Sequence, residues 1–185
     1  MTTYRIEPAG ENDIKTIQGI ARATWPHTFG SILSDGQIEF MLDRMYSTEA
    51  IRRQLAEGHQ YHLLLVQDND PMYPRGGEHY AHMQGQRYRA VGYVSHEFDN
   101  RPGTTKIHKL YLLPGSQGKG YGRLLINHVE RLAARAGQHS LRLDVNYQNP
   151  AVDFYEHLGF EKLGRHDTEI GNGYLMEDWQ MEKSL

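Results

Sequence analysis

The chain has 185 residues, a length that fits one domain with a sizeable hydrophobic core. Its net charge of −3 and mean hydropathy of −0.69 give no global attraction to nucleic acid and argue against a transmembrane segment. The sequence contains no cysteine, which excludes disulfides and cysteine-based zinc sites, and its first residues lack a secretory signal, so we expect a cytoplasmic protein.

The first third of the chain predicts one short strand followed by three helices. Residues 4–7 alternate in polarity and predict the strand. Residues 11–24 place their isoleucines on one helical face, and Pro26 is expected to end this helix. A second helix follows Ser34, which is a good N-cap, and a third covers residues 47–57.

The middle of the chain predicts three strands and one long loop. Residues 61–67 form an apolar run of strand length. Residues 68–86 are rich in Pro, Gly, Asp and His, which predicts a long surface loop inside a hairpin. Residues 88–98 and 104–113 predict the next two strands, joined by a short turn.

The remaining chain begins with the strongest helix prediction, residues 119–136, whose apolar side chains form one stripe. A strand, a short helix and the two strands of a terminal hairpin are then predicted at residues 141–145, 150–158, 160–170 and 174–183. No repeat or linker interrupts this order. We therefore expect a single α/β (α+β) domain over residues 1–185, with one mixed sheet flanked by helices.

The segment Gln-Gly-Lys-Gly-Tyr-Gly at residues 117–122 opens the long helix. A helix N-terminus offers unpaired N–H groups and a positive dipole end, and glycines let a bulky anion approach them. Lys119 and Arg123 add charge, within a stretch (residues 101–137) that has seven basic residues and one acidic residue. The segment predicts a phosphate or pyrophosphate site, but its spacing fits neither a Walker A loop nor a dinucleotide fingerprint.

Two separated motifs resemble the GNAT superfamily of N-acetyltransferases. Gln117, Gly120 and Gly122 match the acetyl-CoA signature Gln/Arg-x-x-Gly-x-Gly/Ala. Residues 149–160 are similar to the family's Asn-x-x-Ala-x-x-Phe-Tyr-x-x-x-Gly-Phe, with Ala151 one place early. The resemblance covers residues 88–160 well and the flanks loosely.

This resemblance implies a mostly antiparallel, splayed sheet and the transfer of an acetyl group from acetyl-CoA, as co-substrate, to a primary amine of a small molecule. Residues 1–60 would supply acceptor-side helices, residues 88–160 the acetyl-CoA-binding core and residues 160–185 a C-terminal hairpin. The implied acetyl-CoA-binding residues are Leu112 and Leu113 for pantetheine, Gln117, Gly118, Lys119, Gly120, Tyr121, Gly122 and Arg123 for pyrophosphate, and Asn149. Asn149 equally suits a helix N-cap.

Tyr155 is the implied proton donor to the leaving thiolate, although its helical spacing also suits a core position. Lys106 occupies the strand position where many relatives carry a glutamate base. His108, two places along the same strand, is therefore the candidate general base, with Glu97 or Asp144 acting through a water as alternatives.

The acceptor is expected between the first helices and the splayed strands. The stretch Trp-Pro-His-Thr-Phe-Gly at residues 25–30 faintly resembles bacterial polyamine or diamine acetyltransferases. Its aromatics, together with Asp35, Glu39 and Asp43, would suit an amine cation. Alternatively, the aromatics belong to the core and the three acids to a solvated helix face.

Other functions stay open at the level of the sequence. A protein N-terminus or lysine as acceptor would need a groove, which residues 75–86 could border, and a non-catalytic acyl-CoA-binding module would need no acceptor. His79 and His82 lack a third ligand in register, so no metal is expected. We expect neither a nucleic-acid nor a membrane partner, and leave open whether the chain forms a homodimer.

Overall fold

The computed structural model describes residues 3–67, 80–83 and 86–185. Its helices are α1 (Ile14–Phe29), α2 (Asp35–Tyr46), α3 (Thr48–Ala56), α4 (Tyr121–Arg135) and α5 (Ala151–His157). Its strands are β1 (Tyr4–Ala9), β2 (Gln60–Gln67), β3 (Tyr80–Met83), β4 (Gln86–Arg101), β5 (Thr104–Leu112), β6 (Ser140–Asn146), β7 (Glu161–Gly171) and β8 (Tyr174–Ser184). In the described residues, no helix combines the length and apolar character needed to cross a bilayer.

The strands form one sheet in the order β1-β2-β4-β5-β6-β8-β7, with β3 paired to β4 beside this path. The strands of each neighbouring pair run antiparallel, except that β5 and β6 run parallel. A parallel pair needs a crossover connection, and α4 provides it. The expected fold class, one mixed and mostly antiparallel sheet flanked by helices, is confirmed.

The parallel pair holds together over only part of its length. Its register runs from Thr104 opposite Ser140 to Ile107 opposite Leu143. Strand β5 then continues to Leu112, and β6 ends at Asn146. The sheet therefore opens between these two strands at the end where the glycine-rich turn follows β5, as the sequence resemblance implied.

Apolar side chains pack on both faces of the sheet. One cluster joins α1, α2 and α3 to the sheet and includes Trp25 and Tyr46. The other joins α4 and α5 to the opposite face and includes Leu125 and Val129. The apolar stripe predicted on residues 119–136 is thus the face that α4 buries.

Two boundaries differ from the sequence prediction. Helix α1 continues through Pro26 to Phe29, because Phe29 is buried and its ring lies 4.7 Å from that of Trp25. This packing outweighs the one helical hydrogen bond that proline cannot make. The single loop predicted at residues 68–86 is wrong for Tyr80–Met83, which pairs with β4, and the rest of that loop lies outside the described residues apart from Gln86, which begins β4.

Three histidines lie together between the sheet and α4. The ring of His62 is stacked on that of His96 at 5.4 Å and meets that of His128 edge-on at 4.6 Å. Burial is the main cause that lowers the pKa of His62 to about 4 and that of His96 to about 3. The core therefore contains these two imidazoles in their neutral form at neutral pH.

We expect this histidine cluster to make the fold sensitive to acid. The pKa of His62 is lower in the folded chain than its ordinary value of 6.5, so the unfolded chain takes up the proton first. Its contribution to stability is complete above pH 6.5 and is lost as the pH falls toward 4. In His62→Phe, the loss of unfolding free energy between pH 7 and pH 5 should shrink by about 2 kcal/mol, as measured by urea denaturation.

The matched control is His157→Phe, at an exposed histidine of α5. This variant should keep the pH dependence of the wild-type chain. If both variants and the wild type lose the same unfolding free energy between pH 7 and pH 5, the cluster does not control acid stability.

Candidate active site

A cavity of about 840 Å³ occupies the opening between β5 and β6. Its wall takes residues from α1 and α2, from the ends of β5, β6 and β8, from the glycine-rich turn and from α5. Its wall includes both Gly120 of the glycine-rich turn and Trp25 of α1. One continuous space therefore connects the predicted phosphate site with the first two helices.

The glycine-rich turn presents the N-terminus of α4 to this cavity. Gly118 and Gly120 have φ angles of +73° and +81°, a left-handed conformation that favours glycine. Gly120 is the N-cap, so no side chain accepts from the first N–H groups of α4. These donors, together with the exposed Lys119 and Arg123, can hold a phosphate or pyrophosphate group.

Gly122 has a different role from the other two glycines. A Cβ atom at this position would lie 2.9 Å from Cζ of Phe154, whereas Cβ atoms at positions 118 and 120 would meet nothing within 4 Å. The third glycine therefore lets α5 pack closely against the start of α4. Gly122 also lines the cavity, so its contribution to anion binding stays a prediction.

The last residues of β5 have main-chain groups directed into the opening. The N–H of Leu113 donates to the carbonyl of Val91 at 2.8 Å, on the β4 side. Because successive residues of a strand direct their N–H groups to opposite sides, the N–H of Leu112 points toward the gap. The carbonyl of Leu112 accepts a 3.2 Å hydrogen bond from Nε2 of Gln117, which ties the turn to this edge.

Most of the predicted acetyl-CoA-binding residues come together on the cavity wall. Those present are Leu112, Gln117, Gly118, Gly120, Tyr121, Gly122, Arg123 and Asn149. Leu113 instead packs against the core cluster of α1, α2 and α3, and the exposed side chain of Lys119 does not line the wall. All ten residues remain predictions as cofactor contacts.

Tyr155 belongs to the core and to the cavity wall at once. Its side chain is 8 % exposed, and its ring lies 5.2 Å from that of Phe154 and 5.7 Å from that of Phe160. Burial raises the pKa of the phenol, so it carries its proton at neutral pH. Asn149 combines two roles similarly, because Oδ1 accepts from the N–H of Ala151 while the residue lines the wall.

The sequence-based candidates for the base have strong partners of their own. His108 lines the cavity, and Nε2 lies 2.9 Å from Oε2 of Glu97. Burial and the neighbouring His59 lower the pKa of His108 to about 4. Burial alone would raise the pKa of Glu97, but hydrogen bonds from His108 and Asn100 lower it. Asp144 lies 2.7 Å from Nζ of Lys106.

Asp178 is a further carboxylate of the cavity and is not among the sequence-based candidates. Its side chain on β8 is 8 % exposed and lines the wall. Burial and the nearby Asp144 raise its pKa to about 6. A signal was available, since Asp178 continues the alternation of Tyr174 and Met176, which places an acid in line with apolar side chains.

The acceptor-side wall is aromatic, and its acids differ from those predicted. Trp25, Phe29 and Met41 are buried core residues that also line the cavity. The acids predicted beside them, Asp35, Glu39 and Asp43, are exposed on α2, which confirms the alternative of a solvated face. The negative charge of this wall comes from Asp144 and Asp178 instead.

Comparison with known proteins identifies relatives of this chain. The family model described as the acetyltransferase (GNAT) family matches residues 42–160. An uncharacterized N-acetyltransferase of Methanocaldococcus jannaschii is 34% identical over 71 residues, which cover 38% of this chain and 29% of that protein. A streptothricin acetyltransferase of Streptomyces lavendulae is 35% identical over 72 residues, 38% of each chain. The alignments thus span well under half of these relatives.

A solved structure extends the likeness to the whole fold. The PaiA N-acetyltransferase from Thermoplasma acidophilum, in complex with coenzyme A, has a TM-score of 0.73 and 22% sequence identity. The alignment covers 99% of this chain and 99% of that chain. At this identity the likeness shows the fold alone.

Proposed function

The chain belongs to the GNAT family of acetyltransferases, and on this basis we propose that it transfers an acetyl group from acetyl-CoA to a primary amine of a small molecule. The observation that carries the proposal is the continuous cavity from the N-terminus of α4 to Asp178 and Trp25. Such a space can hold a donor and an acceptor with their reacting groups in contact. Positioning of this kind contributes up to about 7–11 kcal/mol in favourable intramolecular reactions.

The donor half of the proposal rests on two adjoining features. The uncapped N–H groups of α4 suit the pyrophosphate of acetyl-CoA. The exposed edge of β5 near Leu112 suits the amides of the pantetheine arm, which is an extended chain. Acetyl-CoA would supply the activated thioester, and the residues of the chain would orient it.

The chemical roles follow from the groups around the opening. Asp178 would take one proton from the ammonium group of the acceptor and so give the neutral amine that attacks the thioester, because the raised pKa of Asp178 lies close to neutrality. The N–H of Leu112 would donate to the thioester oxygen as negative charge develops there. As the C–S bond breaks, Tyr155 would give its phenolic proton to the departing sulfur and then regain a proton from the acetylated nitrogen. His108 stays the second candidate for the base.

The acceptor half favours a small cation. Aromatic faces and buried carboxylates both attract an alkylammonium group, and the wall near Trp25 and Asp178 supplies both. These features support a polyamine, an amino acid or a similar amine over a folded protein surface.

An amine panel tests this proposal. Purified chain would be incubated with acetyl-CoA and with polyamines, amino acids, aminoglycosides, and peptides with free N-termini or lysines. Mass spectrometry would detect the added acetyl group. We expect products from small amine cations at higher kcat/KM than from any peptide, because the acceptor wall lies inside the cavity.

The matched control is Gly120→Val, which strains the left-handed N-cap of α4 and should abolish acetyl-CoA binding while the fold persists. Preferential acetylation of peptides would contradict the proposal of a small-molecule acceptor and would indicate a polypeptide acceptor instead. Tight acetyl-CoA binding with no product across the panel would identify a non-catalytic acyl-CoA-binding module instead.

A further inference from the structure

Two histidines and a glutamate meet on the side of the sheet that faces α3. His59, Glu97 and His108 each offer a potential ligand atom, and these atoms all lie within 4.8 Å of one another. Within the described parts of the chain, this is the only place where three such side chains come that close together. The sequence offered no hint of it, because the three residues come from separate elements.

The end of α3 fixes the position of His59. Its N–H donates to the carbonyl of Gln54 at 3.0 Å, and the N–H of Gly58 donates to that of Leu55 at 3.2 Å. This pair of bonds is the Schellman arrangement that closes a helix C-terminus. The Nδ1 atom of His59 is buried and has no hydrogen-bond partner, so this ring keeps a free coordinating nitrogen.

A β-bulge fixes the position of His108. Ser95 pairs with Lys109 and His96 pairs with Ile107, so His108 is the extra residue of β5. Such a bulge redirects a side chain out of the regular alternation. Glu97 comes from the facing strand, opposite Lys106, and its Oε2 lies 2.9 Å from Nε2 of His108.

We propose that His59, Glu97 and His108 bind a divalent transition metal ion of the zinc class. Two imidazoles and one carboxylate form a ligand set that zinc accepts, leaving a coordination position for water or a ligand. That position would face the acceptor side of the cavity, because His108 also lines the cavity wall. The proposal rests on these contacts and not on the proposed acetyl transfer.

The surroundings fit an ion at this place. Asn100 donates to Oε2 of Glu97 at 2.9 Å, the kind of outer contact that orients a metal ligand. The nearby ammonium groups have other partners, Asp144 for Lys106 and Gln54 for Lys109. The two imidazoles are stacked at 3.9 Å with an 18° angle between their planes, so one ring must turn to share an ion. Such a turn about the Cβ–Cγ bond meets only broad torsional wells.

Direct metal binding tests the site. Untagged chain, stripped with a chelator, would be titrated with Zn²⁺ by calorimetry and with Co²⁺ by visible absorption, which reports a tetrahedral site. We expect one high-affinity ion per chain. His59→Gln, Glu97→Gln and His108→Gln should each weaken binding at least about tenfold, because even a change in the outer contacts of a metal ligand usually costs that much.

His157→Gln provides the matched control, because it removes an exposed histidine of α5, a helix that packs on the opposite face of the sheet. It should bind Zn²⁺ as the wild-type chain does. Equal affinity in the control and in all three ligand variants, or no stoichiometric ion in the wild type, would overturn the proposal. Both readouts are independent of acetyl transfer, so the proposed function can fail while the metal site stands.

Discussion

Asp178→Asn should lower kcat by about 10²–10⁴-fold, the usual contribution of a positioned general base. Asparagine keeps the shape of the aspartate side chain but cannot accept the proton of the attacking amine. Packing around β8 should change little, since the two side chains have nearly the same volume. Steady-state kinetics with the best amine of the panel would measure the loss.

The same residue predicts the acid limb of the pH profile. Burial and Asp144 raise the pKa of Asp178 to about 6, and a base works only when deprotonated. The wild-type kcat should therefore fall as the pH drops below about 6, by about tenfold per unit, and the asparagine variant should lose this limb. If Asp178→Asn keeps the wild-type kcat while His108→Gln loses it, the general base is His108.

Tyr155→Phe is expected to reduce kcat by about 10²-fold and to leave the KM for acetyl-CoA nearly unchanged. Phenylalanine keeps the ring that packs against Phe154 and Phe160 but removes the proton needed by the departing sulfur. The ratio of the two kinetic parameters therefore separates a catalytic role from a packing role. Stopped assays with several acetyl-CoA concentrations would provide both.

Tyr147→Phe is the matched control, because Tyr147 is 38 % exposed and does not line the cavity. It should keep wild-type kinetics. An unchanged kcat in Tyr155→Phe, or a rise in KM without a fall in kcat, would assign Tyr155 to the core alone.

The order of helices and strands was largely predictable, because each depends on local periodicity. The stripe of α4 and the N-cap at Ser34 are read within a few neighbouring residues, and both are present. The extension of α1 beyond Pro26 was not predictable, since it depends on how Phe29 packs in the folded chain. The pairing of β3 with β4 likewise follows from contacts that composition does not encode.

The residues of the candidate site also fall into a predictable group and an unpredictable group. The turn at residues 117–122 and the helix bearing Tyr155 are contiguous motifs, so the sequence could place them. Asp178 could not be ranked above other acids, because its raised pKa depends on burial and on Asp144, which lies on the neighbouring strand. The bulge that exposes His108 to His59 and Glu97 depends on the register of β4 and β5.

The early end of the β5–β6 ladder has a further consequence. It gives the sheet an additional edge in its interior, near Leu112, besides the outer edges at β1 and β7. Unpaired strand edges usually invite association with other chains. This edge lies within a cavity between helices, where a second sheet has no room. A slender molecule with amide groups can pair there, so the same unpaired backbone selects ligands by width.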